Sequence, residues 1–69
     1  MAGIQISIKN IISDYSEVRN IKASEAIDNI MDAIGLMGLD KDGIVESLDS
    51  TVDNETRLRI VSVADSLRS

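Results

Sequence analysis

The stretch GIQISIKNII, residues 3–12, reads in two ways. Ile4, Ile6 and Ile8 alternate with Gln5, Ser7 and Lys9, which is the period of a half-buried strand. Ile4, Ile8, Ile11 and Ile12 also recur at helical spacing, and Tyr15 and Val18 continue them within about 120° of arc. The helical register accommodates six of the seven apolar residues and leaves only Ile6 on the far side. β-Branching pulls the other way, because isoleucine is a poor helix former and Ser and Asn are interspersed. A strand at 4–8 followed by a helix capped by Asp14, with Glu17 at the capping-box position, would reconcile the two.

Outward from this stretch, the periodicity predicts helices with breaks between them. Lys22 falls in the middle of the first apolar stripe, so a break is expected between Asn20 and Ser24, with Ser24 as an N-cap. SEAIDNIMDAIGLM then places Ile27, Ile30, Met31, Ile34 and Met37 on one face, and Gly35 and Gly38 stand where a helix end favours glycine. Asp40 to Gly43 is turn chemistry. Ile44, Val45, Leu48 and Val52 follow at helical spacing. Asp53 or Asn54 starts a last segment, with Glu55 in a favourable first turn, Ile60, Val63, Ala64 and Leu67 on one face and Arg68 near the end. RLRIVSV also alternates, so a strand stays open there. The expected fold is a single all-α domain of three to four short helices at about 4–19, 24–37, 43–52 and 54–68, with a short N-terminal strand at 4–8 as the open variant.

Composition narrows the function classes. A chain of 69 residues hides only about 60% of the surface its unfolded form exposes, so its stability is marginal. Small domains offset this with disulfides, a metal or oligomerisation. The chain has no Cys and no His, which removes disulfides and the usual zinc ligands and leaves oligomerisation. Tyr15 is its only aromatic, so the core must be aliphatic. The net charge is −5. Residues 40 to 55 set Lys41 alone against six acids, whereas residues 56 to 69 set three arginines against Asp65. That balance disfavours nucleic acid as a partner and permits charge complementarity between copies. No run approaches the roughly eighteen apolar residues of a membrane span, and no signal peptide is visible, so a cytoplasmic location is the expectation.

Four chemistries are worth weighing on particular residues. Asp40, Asp42, Gly43, Val45 and Asp49 match positions 3, 5, 6, 8 and 12 of a helix–loop–helix calcium loop, but position 1 is Gly38, which has no ligand side chain. An Asp-Gly turn accounts for the same residues. Gly43 to Asp49 resembles the attachment site of acyl and peptidyl carrier proteins, a resemblance that implies Ser47 as the phosphopantetheine-bearing serine. Glu46 replaces the family's Asp, and only 22 residues follow Ser47. Asn20-Ile21-Lys22-Ala23-Ser24-Glu25-Ala26-Ile27 resembles the second-helix start of ribbon-helix-helix DNA-binding proteins. That resemblance implies a dimer whose N-terminal strands enter the major groove, with Gln5, Ser7 and Lys9 as readers and Lys22 and Ser24 at phosphate. The 11 residues between Ile8 and Asn20 fall about one helical turn short of that family's pattern, and Lys22 replaces its first Ser. Carboxylate pairs such as Asp28 with Asp32, candidates for acid–base catalysis, are accounted for by a solvated helix face.

The sequence therefore points to a small non-enzymatic protein-binding module, an inhibitor, adaptor or assembly factor of the sort phages and mobile elements encode. It would need no cofactor or metal and would act as a homo-oligomer that also engages another protein. The expected interface is the seam Ile4, Ile8, Ile11, Tyr15 and Val18, with the Ile27–Ile30–Ile34 face forming the core. A ribbon-helix-helix-like dimeric DNA-binding regulator is the alternative.

Overall fold

A computed structural model describes residues 4–46 and 51–69 of the chain. These residues form, in order, strand β1 (Ile6–Ser7), helix α1 (Ile8–Arg19), helix α2 (Ala23–Leu36), helix α3 (Lys41–Glu46), strand β2 (Thr51–Val52) and helix α4 (Asn54–Arg68). The protein is all-α with a minor N-terminal strand, as the hydrophobic periodicity predicts, and that strand pairs with Thr51–Val52, which the periodicity places in a helix.

The opening stretch divides between the two readings with narrower bounds than either: the strand is Ile6–Ser7 rather than 4–8, and the helix starts at Ile8 rather than at about 4. Ile6 and Ser7 pair antiparallel with Val52 and Thr51. Ser7 then caps α1, its Oγ accepting from the Asn10 N–H at 3.2 Å with an extended backbone at φ −74° and ψ 150°. The helix thus starts at Ile8, earlier than a cap at Asp14 would allow. Ile6, the residue that fits no helical register, packs half-buried against the core from the strand.

Two left-handed residues end the first two helices. Asn20, at φ 56° and ψ 49°, turns the chain after α1, with its N–H donating to the Glu17 carbonyl and the Ile21 N–H to the Ser16 carbonyl. Gly38, at φ 76°, repeats the device after α2: its N–H donates to the Gly35 carbonyl and the Leu39 N–H to the Ile34 carbonyl. Each is a Schellman closure that satisfies orphan carbonyls and sends an apolar residue, Ile21 or Leu39, onto the core. The break predicted between Asn20 and Ser24 is therefore present, but Ser24 is not its N-cap. The Lys22 carbonyl accepts the first helical bond from the Ala26 N–H at 3.0 Å, so α2 starts at Ala23 and Ser24 lies inside its first turn.

The core is built from Ile8, Ile11, Ile12 and Tyr15 of α1, Ala26, Ile30, Ala33 and Ile34 of α2, and Ile60 and Ala64 of α4. The α2 stripe is rotated from the predicted one. Ala26 and Ala33 are buried and Ile27 is exposed, because small side chains at the contact let neighbouring helices approach closely. Each fully buried isoleucine contributes about 1.5–3 kcal/mol relative to an exposed one.

The third predicted helix, 43–52, needs correction at both ends. α3 begins at Lys41, where Asp40 Oδ1 accepts from the Gly43 N–H at 3.1 Å. Thr51 and Val52 are strand, because β1 offers them a partner and Asp53 then caps α4. Leu48 lies outside the described residues.

Candidate interaction surface

α4 is amphipathic with a remainder. Its core stripe is Ile60 and Ala64, and Leu58 lies two residues before it, about 200° around the helix. Leu36, the last residue of α2, stands at the edge of that helix's stripe, about 60° from the buried Ala33. Both leucines are outside, at 53% and 69% exposure. Leu67 is in phase with Ile60, but it lies in the last turn of α4 and remains 42% exposed.

These residues border two open, shallow grooves between the C-terminal end of α2 and α4. One, of about 370 Å³, is lined by Met37, Glu55, Leu58, Arg59, Ser62 and Val63. The other, of about 380 Å³, is lined by Asp32, Gly35, Leu36, Lys41 and Leu67. Each has an apolar floor and one acid and one base at its rim. Among the described residues the ion pairs are Arg19 with Asp65 at 2.6 Å and Arg57 with Asp14 at 3.6 Å, and neither involves a rim group. The surface is suited to receiving apolar side chains within a charged border.

The seam expected from the sequence is divided by the fold. Ile8, Ile11 and Tyr15 are buried within the chain itself, and only Ile4, at 70%, and Val18, at 73%, stay exposed. The correction has a simple cause: a stripe regular enough to seat a partner helix also seats the chain's own α2 and α4. α4 lies on the Tyr15 and Arg19 side of α1, which leaves Val18 at the edge of a small cleft with Val61.

The residues of the DNA-reading alternative are divided between residues 5–9 and the start of α2. Gln5 Oε1 accepts from the Thr51 hydroxyl at 2.7 Å, and Ser7 is engaged as the α1 cap. Lys9 is exposed in the first turn of α1, whereas Lys22 and Ser24 are exposed at the start of α2. Of the calcium-loop candidates, Asp40 caps α3, Asp42 lies in its first turn, Gly43 and Val45 are helical, and Asp49 lies outside the described residues, as does Ser47. Asp28 and Asp32 are exposed on α2. Leu36 and Leu58 are the residues the periodic reading overlooked. For Leu58 the signal is an apolar residue about 200° from Ile60; Leu36 stands at the edge of the α2 stripe, at the helix end. No protein-family model, curated protein or solved structure matches the chain.

Proposed function

We propose that this chain is a small protein-binding module that acts as a homo-oligomer, and that its contact surface is the α2–α4 face bordered by Leu36, Leu58 and Leu67. The observation that carries this reading is the exposure of these three leucines beside two apolar grooves. Exposed large apolar side chains beside apolar grooves support an association role. A chain of 69 residues gains from covering it, since its own core is small.

Sedimentation equilibrium and thermal melts from low micromolar to millimolar protein test the reading. The melting temperature rises with protein concentration if association stabilises the fold. The L36S/L58S variant keeps its helical spectrum and sediments as a monomer. A wild-type chain that stays monomeric throughout this range overturns the proposal.

The order strand, helix, helix in β1, α1 and α2 supports a second reading, a ribbon-helix-helix-like dimeric DNA-binding regulator. It ranks second because β1 already pairs with β2 and Ser7 caps α1. It requires DNA binding that weakens steeply with salt and collapses when Lys9 or Lys22 is replaced.

A further inference from the structure

We draw no further inference here: the strongest candidate, the open apolar groove between the C-terminal end of α2 and α4 lined by Met37, Leu58 and Val63, carries nothing more because nothing in the structure shows what covers it.

Discussion

The Tyr15 hydroxyl donates to the Ala64 carbonyl at 2.9 Å, joining α1 to α4 across 49 residues of sequence. The only aromatic in the chain therefore reaches its polar partner inside the core, which is the condition for burying a phenol at low cost. Asp14 with Arg57, then Arg19 with Asp65, follow along the same pair of helices, and the Arg68 guanidinium donates to the Arg19 carbonyl at 3.4 Å. Magnitudes separate these contacts. The ion pairs are partly exposed, and pairs of that kind contribute about 0–1 kcal/mol. The Tyr15 ring combines apolar burial with a buried hydrogen bond, so it dominates the junction.

Tyr15→Phe is expected to lower unfolding free energy by about 1 kcal/mol, the net worth of one hydrogen bond. Tyr15→Ala is expected to lower it by about 3–5 kcal/mol, because it also leaves a cavity. Asp65→Asn should lower it by less than about 1 kcal/mol. Urea denaturation of the three variants checks this order, and an Asp65 effect larger than that of Tyr15→Ala would refute it.

Asp53 ties stability to acid. Its Oδ1 accepts from the Thr56 N–H at 2.7 Å at the start of α4. Hydrogen bonding from Thr56, by the side chain first and the backbone second, holds its carboxyl below the ordinary 3.8. A carboxyl lowered on folding contributes stability that is present above its unfolded pKa and is lost as the pH falls through the folded value. The advantage of the wild type over D53N should therefore hold above the ordinary carboxyl range and close as the pH drops below it. Thermal melts of both proteins over that range read the closing gap. A constant gap would count against the assignment.

The two left-handed positions predict opposite responses. Gly38→Ala places a Cβ on a residue at φ 76° and is expected to cost about 1–2 kcal/mol, although open space surrounds it. Asn20→Gly relieves a non-glycine residue at φ 56° and should be neutral or mildly stabilising. Denaturation midpoints of the two variants report the signs directly.

Lys22 stands at the N-cap of α2 with no side-chain capping bond. Lys22→Ser supplies an acceptor for the orphan N–H groups there, and a gain of about 0.5–1 kcal/mol is expected. The same replacement at Lys9, which lies inside α1, should give no such gain. Calorimetry of the two variants side by side separates capping from loss of charge.

Much of the architecture was legible because it is local. Asn20, Gly38 and Asp53 announce helix ends through their own backbone preferences, and each acts where it stands in sequence. Ile30, Ile34 and Ile60 were legible as core because periodicity alone places them. Ala64 was legible too, in phase with Ile60, but Ala26 and Ala33 were harder to see as core, since an alanine carries little hydrophobic signal of its own. Ser7 was hidden as a cap because its role depended on where β1 stopped.

The candidate surface was legible only in part. Leu58 is out of phase with the α4 stripe, which the periodicity encodes, whereas Leu36 stands at the edge of the α2 stripe, where that helix ends. The grooves that they border are not local features, because both are formed where α2 lies against α4.

The residue order of this chain sets an all-α fold, its helix ends and an aliphatic core with Tyr15 within it, because propensity, capping and period act over a few residues. Tertiary packing decided the rest. It paired Ile6 and Ser7 with Val52 and Thr51, turned the α1 stripe inward and left Leu36, Leu58 and Leu67 outside. A stripe of isoleucines is equally suited to a partner or to its own chain, and only the arrangement of all the helices selects which surface remains to be covered.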